Sequence, residues 1–132
     1  MAQKGDFIII DEPELNLHPD NQRLIARFFG ILINEGFKLL ISTHSDYIVR
    51  ELNNMIMLSH GLKSQKEKTK KLLSKYDYNE NELIPAESIG VYLFRVNKPV
   101  ENVIVEETGF SIATIDEEVK KLNESSQDIY FW

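Results

Sequence analysis

The 132-residue sequence contains no cysteine. This absence excludes disulfide bonds, thiolate metal sites and a cysteine nucleophile, and it is compatible with a reducing compartment. The apolar run nearest the N-terminus, Phe7 to Ile10, is far too short for a signal peptide or a membrane span. We therefore expect a cytoplasmic protein without a membrane partner.

Glycine and proline are also scarce, with six and four residues, and no Gly/Ser/Pro-rich linker divides the chain. We expect one domain over residues 1–132, with a core at 6–60, a lysine-rich insert at 62–75, and a hairpin and helix at 88–125. The net charge of −6 excludes a surface built throughout to grip nucleic acid. The six lysines of the insert are compatible with a local nucleic-acid contact. A solvated helical face fits them better, because no aromatic residue is interleaved.

The first sixty residues alternate between apolar runs and helical patterns. Phe7 to Ile10 is a continuous apolar run, which is typical of a strand covered on both faces of a parallel sheet. His18-Pro19 favours the start of a helix that Gly36 ends. The predicted inner face of that helix comprises Leu24, Ile25, Phe28, Ile31 and Leu32.

A second strand is predicted from Phe37 to Ser42, followed by a helix capped by Ser45 or Asp46 and a third strand from Met55 to Leu58. The alternation of strands and helices predicts an α/β fold with a parallel β-α-β-α-β core and right-handed crossovers. Two further strands, Ile89 to Val96 and Glu101 to Glu107, are predicted to form a hairpin. A short helix over Asp116 to Asn123 follows.

Polar residues follow the first two predicted strands: Asp11 and Glu12 after one, Thr43 and His44 after the other. Ligands of open parallel sheets bind at the carboxyl ends of the strands, so we expect these four residues to lie together. A carboxylate pair at such an edge suits a magnesium ion and an attacking water, as phosphoryl transfer requires.

The same residues carry a family resemblance. The segment FIIIDEPE at residues 7–14, with Leu15 to Pro19 and Gln22 after it, resembles the Walker B strand and D-loop of ABC-type P-loop ATPases. It is most similar to the branch of AAA ATPases that contains DNA-repair, chromosome-maintenance and phage-defence proteins. Leu40 to Ser45 resembles the switch-histidine loop of that family. The fold class implied is a partial P-loop NTPase fold.

The resemblance implies roles for individual residues and for ATP and Mg²⁺ as cofactors. Asp11 would hold the magnesium shell, Glu12 would act as the base on water, and His44 would contact the γ-phosphate. Leu17, His18 and Pro19 would form a D-loop across the interface of a homodimer of ATPase heads. From residue type alone, His44 also fits an ordinary residue at a helix start, and His18 also fits a helix N-cap without a chemical role.

Two elements of the family pattern are missing from the sequence. No glycine begins a Gly-x-x-x-x-Gly-Lys-Ser/Thr phosphate loop. The signature loop is absent too, since Leu58 to Gly61 matches only its first letters and follows the switch histidine. We therefore expect the C-terminal half of an ATPase domain that lacks its N-terminal half and is inactive alone.

Two other functions remain open at the level of sequence. A non-enzymatic interaction module would keep the ATPase fold without hydrolysis, and the missing phosphate loop favours it. A metal-dependent phosphoesterase could use Asp11, Glu12, Glu14 and the histidines, or Val103 to Glu106 as a Toprim-like opening. Glu107 stands where Toprim openings usually have glycine, and no HExxH-like pair is present.

Overall fold

The computed structural model describes residues 1–131. The N-terminal part contains strand β1 (Phe7–Asp11), helix α1 (Pro19–Asn34), strand β2 (Lys38–Ser42) and helix α2 (Asp46–Ser64). Helix α3 (Lys66–Tyr76) and two short 3-10 turns, Glu80–Glu82 and Ala86–Ser88, follow. Strands β3 (Val91–Leu93) and β4 (Glu101–Val103) precede the last helix, α4 (Ala113–Tyr130).

Strands β1 and β2 pair in parallel, with Phe7 opposite Lys38 and Asp11 opposite Ser42. Helix α1 makes the crossover between them, since it lies between the two strands in sequence. The predicted strand-helix-strand unit at the N-terminus is therefore confirmed. The predicted order of the remaining core elements is not confirmed.

The third predicted strand, Met55 to Leu58, is wrong, because these residues lie in the middle of α2. Met55 and Ile56 are fully buried at positions that continue the inner face of that helix. Asn53 and Asn54, which suggested a turn, instead bond across the fold to the backbone of Phe110 and to the hydroxyl of Tyr78. A short apolar run cannot distinguish a strand from a buried helical segment by periodicity alone.

The sequence predicted a sheet that is covered on both faces. In the structure only one face is covered. Burial alternates along each strand, and Phe7, Ile9 and Leu40 are 60%, 70% and 55% exposed. Ile8 and Ile10 on the other face are half-buried. Within residues 1–131 this sheet has two strands, and the face that carries Phe7, Ile9 and Leu40 meets solvent.

Helix α1 begins and ends where its sequence predicts. Pro19 occupies its first turn, the His18 side chain caps it, and Gly36 follows at a φ of +97°. The buried face differs from the predicted one: Ala26, Phe29 and Gly30 are buried, whereas Leu24 and Phe28 are exposed. A Cβ at Gly30 would lie 1.9 Å from the carbonyl oxygen of Glu82, so close packing at this glycine fixes the orientation of the helix.

The C-terminal elements agree with the prediction in type and differ in length. β3 and β4 form the predicted antiparallel hairpin, with Tyr92 opposite Asn102. Helix α4 is longer than predicted, and none of its described residues is buried. The lysine-rich insert contains the end of α2 and the helix α3, which is anchored by buried Thr69 and Leu73.

Two clusters of buried apolar side chains form the core. One unites α2, α3 and the segment after α3, and the other unites α2 with the chain before α4. The first contains Met55, Leu73, Tyr78, Leu83 and Ile84, and the second contains Val49, Ile56, Phe110 and Ile112. No helix within residues 1–131 is long and apolar enough to span a membrane.

A buried carboxylate links α1 to α2. Glu51 is 1% exposed, and its two oxygens accept hydrogen bonds from Arg23 at 2.9 Å and Arg27 at 3.0 Å. Arg27 also donates to the carbonyl oxygen of Asp77 at 2.7 Å and stacks 3.9 Å from the ring centre of Tyr78. The contacts of Arg27 therefore join both helices to the segment that follows α3.

We expect Glu51→Ala to lower the free energy of unfolding by about 3 kcal/mol, because the buried Arg27 would keep only the more distant carboxylate of Glu82, at 3.8 Å. Asp46→Ala is the matched control on the same helix, since Asp46 pairs with the exposed Arg50 at 2.7 Å. That variant should lose at most about 1 kcal/mol. Urea unfolding followed by circular dichroism measures both, and equal losses would contradict a special role for Glu51.

The same carboxylate predicts a pH dependence of stability. Burial alone raises the pKa of Glu51, but the Tyr78 hydroxyl and the guanidinium groups of Arg23 and Arg27 outweigh it and hold the pKa below its ordinary 4.5. The unfolded carboxyl therefore binds protons more readily, so this stabilisation is complete above about pH 4.5 and declines as the pH falls below it.

Urea midpoints measured between pH 7 and pH 3 test this dependence. The midpoint of the wild type should fall more steeply below pH 4.5 than that of Glu51→Gln, which cannot titrate there. Parallel curves of urea midpoint against pH for the two proteins would show that Glu51 does not contribute to the pH dependence of stability.

Candidate functional site

The carboxyl ends of β1 and β2 meet at one edge of the sheet, as the sequence predicts. The register places Asp11 opposite Ser42, and the Ser42 hydroxyl donates a hydrogen bond to the Asp11 carboxylate. The backbone N–H of Glu12 donates to the carbonyl oxygen of Ser42 at 3.1 Å and to its hydroxyl at 3.0 Å. Ser42 therefore joins the two adjacent carboxylate residues to the neighbouring strand.

Glu12 has a left-handed backbone conformation, with φ at +45°. A non-glycine residue in this region costs on the order of 1–3 kcal/mol, so the surrounding bonds must hold it there. The conformation ends the strand and brings Glu12 Oε1 to 3.3 Å from His44 Nε2. Strain concentrated at a carboxylate that meets a histidine is typical of a functional site.

The pair of Glu12 and His44 is open to solvent. The side chain of His44 is 87% exposed and that of Glu12 is 37% exposed. Both side chains are therefore accessible to a ligand approaching the edge of the sheet, while their backbones are fixed by the strands beneath.

Glu14 connects this site to the loop after β2. Its Oε1 accepts hydrogen bonds from the Thr43 hydroxyl at 2.9 Å and from the backbone N–H of His44 at 2.6 Å. Sequence reasoning gave Glu14 a role only in the phosphoesterase alternative and gave Ser42 none. The position of Glu14 just after Pro13 was visible, but its partners lie about thirty residues away along the chain.

Of the residues predicted to form a D-loop, Leu17 and His18 lie between β1 and α1, and Pro19 is the first residue of α1. Gln22 donates from its side-chain amide to the carbonyl oxygen of Leu17 at 3.0 Å. His18 Nδ1 accepts from the backbone N–H of Asp20 at 3.3 Å, and the His18 side chain is largely exposed. His18 therefore acts as the helix N-cap, which the sequence offered as one of its two alternatives.

The oxygen ligands at Asp11 suit a magnesium ion, which proteins hold through one or two carboxylates together with phosphate oxygens. Asp11 is exposed at the strand end, beside the Ser42 hydroxyl. Among residues 1–131 no group of three or more His, Asp or Glu side chains is arranged to enclose a metal. The Asp11 carboxylate and the Ser42 hydroxyl are the oxygen atoms at this strand end that such an ion would meet.

The remaining candidates lie elsewhere. His60 is a half-exposed residue of α2 whose Nε2 lies 3.3 Å from Glu107. Of the Toprim-like segment, Val103 ends β4, while Glu106 is exposed and forms a bridge with Gly109. Most lysines of the insert are exposed on α3, and Lys63 pairs with Glu87 at 3.5 Å. A nucleic-acid contact there stays a prediction.

Comparison with known proteins gives two similarities. Residues 1–49 match the AAA ATPase domain family, and this segment contains β1, α1, β2 and the whole site. The energy-coupling factor transporter ATP-binding protein EcfA2 of Mycoplasma mobile is 34% identical over 87 residues. That alignment covers 64% of this chain and 28% of the relative, so the chain spans less than a third of the relative's length.

No solved structure matches the chain. The mixed α/β architecture, with its small parallel sheet, is compatible with a partial P-loop NTPase fold. The family match covers residues 1–49 and the relative is an ATP-binding protein, so part of this chain is similar to P-loop ATPases.

Proposed function

We propose that this chain is the C-terminal part of an ABC-type ATPase domain and carries its water-activating residues. The observation that carries the proposal is the contact of Glu12 Oε1 with His44 Nε2, 3.3 Å apart, where the two parallel strands end. A carboxylate and an imidazole at that edge can act on a water and a phosphate bound above it.

In this proposal each residue has a distinct task. Glu12 accepts a proton from the attacking water, and its strained backbone aims the carboxylate away from the strand. His44 keeps one imidazole nitrogen against Glu12, which fixes the ring beside the reacting water. Asp11 and the Ser42 hydroxyl would hold Mg²⁺, which when bound neutralises the charge of the transferred phosphate.

The open face of the sheet supports the view that the remainder of the domain is supplied by other residues. Phe7, Ile9 and Leu40 expose more than half of their surface on a sheet that has two strands in the described part of the chain. Burial of these side chains would be favourable by about 25 cal/mol for each Å² of apolar surface. We propose that the half of the ATPase domain with the phosphate loop covers this face, and that D-loops of two such heads meet in a dimer.

We expect negligible binding of MgATP to this chain alone, because its sequence supplies no phosphate loop. Isothermal titration calorimetry with the purified chain should give no heat of binding at micromolar concentrations. A micromolar affinity would contradict the proposal that the phosphate anchors lie outside the chain.

The source DNA upstream of the Met1 codon offers a direct check of the missing half. An in-frame Gly-x-x-x-x-Gly-Lys-Ser/Thr before a helix would supply the phosphate loop. A stop codon upstream, with no neighbouring gene that encodes this loop, would overturn the ATPase proposal and favour a non-enzymatic interaction module.

In the complete ATPase, Glu12→Gln should retain nucleotide binding and lower kcat by about 100-fold or more, because an amide cannot accept the proton of the water. The control is Glu107→Gln, since Glu107 also lies 3.3 Å from a histidine but outside the site. Steady-state phosphate release and nucleotide titrations measure the two effects. Near-normal hydrolysis by Glu12→Gln would exclude Glu12 as the base.

A further inference from the structure

A ring of hydrogen bonds joins the segment after β1 to the loop after β2. Glu14 accepts from Thr43 and His44, as described above, and Thr43 Oγ1 in turn accepts from the backbone N–H of Ser45 at 3.0 Å. The Ser45 hydroxyl donates to the side-chain oxygen of Gln22. The side-chain amide of Gln22 donates to the carbonyl oxygen of Leu17, which links the path back to the first segment.

The ring is closed by the backbone between Glu14 and Leu17. Its members therefore belong to three parts of the chain: the segment after β1, the first turns of α1, which contain Gln22, and the loop that contains His44. The single oxygen Glu14 Oε1 receives two hydrogen bonds, one at 2.6 Å from a backbone N–H. Hydrogen bonds to a charged acceptor are shorter and stronger than neutral ones, so Glu14 is the strongest connection in the ring.

Glu14 is partly buried, which is consistent with this role. Its second oxygen, Oε2, is enclosed and has no hydrogen-bond partner among residues 1–131. A carboxylate is costly to bury, and here the energy is recovered mainly through the bonds to Thr43 and His44. A residue that only ended the strand would have no need to face inward.

We infer that Glu14 is a positioning residue that holds the backbone of His44, so that the imidazole meets Glu12, and that it couples this histidine to the Leu17–Pro19 segment. The functional meaning of this coupling rests on the ATPase function proposed above. A change at the D-loop would reach His44 through Glu14 on one side and through Gln22 and Ser45 on the other. Movement at an interface could thus change the placement of His44.

Nuclear magnetic resonance of the isotopically labelled chain tests the geometry without any nucleotide. In Glu14→Ala the backbone amide of His44 should shift upfield and exchange with water roughly tenfold faster, because its acceptor is lost. Glu14→Gln keeps an oxygen acceptor and should restore most of the protection. Glu12→Gln is the matched control, because it neutralises the carboxylate that faces the imidazole but leaves the bonds of Glu14 intact.

A general loss of structure would look different from this local effect. If Glu14→Ala also exposes the amides of Met55 and Ile56 in the buried middle of α2 to exchange, the residue stabilises the fold and the positioning role is wrong. Thr43→Val provides a milder change that removes one donor of the ring. It should shift the amide signals of His44 and Ser45 while the exchange of the α2 core stays at its wild-type rate.

In the complete ATPase, Glu14→Ala should lower kcat roughly tenfold with little change in the KM for ATP, and Glu14→Gln should recover most of the rate. Equal rates for the wild type and Glu14→Ala would overturn the coupling. The proposed ATPase function and the positioning role of Glu14 can be contradicted independently of each other. If Glu12→Gln hydrolyses ATP normally, the proposed function is wrong, whereas the local exchange effect at His44 would still establish the position of Glu14.

Discussion

The pairing register of β1 on β2 is the constraint on which the site depends. Because Asp11 lies opposite Ser42, the turn at Glu12 and the loop at His44 leave the sheet side by side. A slip of one residue would turn every side chain of β1 to the other face and separate the carboxylates from the Ser42 hydroxyl. The left-handed conformation of Glu12 is maintained by two hydrogen bonds from its N–H to Ser42, and these exist only in this register.

The helices that follow the two strands are held together by polar as well as apolar contacts. α1 begins at Pro19, after its N-cap His18, and α2 begins at Asp46, after its N-cap Ser45, so the position of one helix on the other also sets the distance between the two loops. Gly30 permits the close approach of α1 to the segment around Glu82, and the buried Glu51 fixes its rotation through Arg23 and Arg27. An ion pair of this kind is specific in geometry because a misplaced partner would leave a charge buried.

Several apolar surfaces in the described part of the chain meet solvent. The outer face of the sheet carries Phe7, Ile9 and Leu40, and the outer face of the hairpin carries Tyr92 and Phe94. Patches of this kind mark interaction surfaces in monomeric proteins. The first of these surfaces lies on β1 and β2, within the residues 1–49 that match the AAA ATPase domain family, and this position supports the proposal of a chain that functions within a larger domain.

The sequence by itself determined the local elements with strong chemical signals. Pro19 and Gly36 bounded α1, Ser45 capped α2, and the ends of β1 and β2 identified Asp11, Glu12 and His44, because caps, turns and strand ends depend on neighbouring residues. The tertiary structure decided what depends on distant contacts: Met55 to Leu58 became helical because α2 packs through them, and Phe7 and Ile9 stayed exposed because no second layer covers them within residues 1–131. It also decided the role of Glu14, whose partners are about thirty residues away and are brought to it only by the parallel pairing of the two strands.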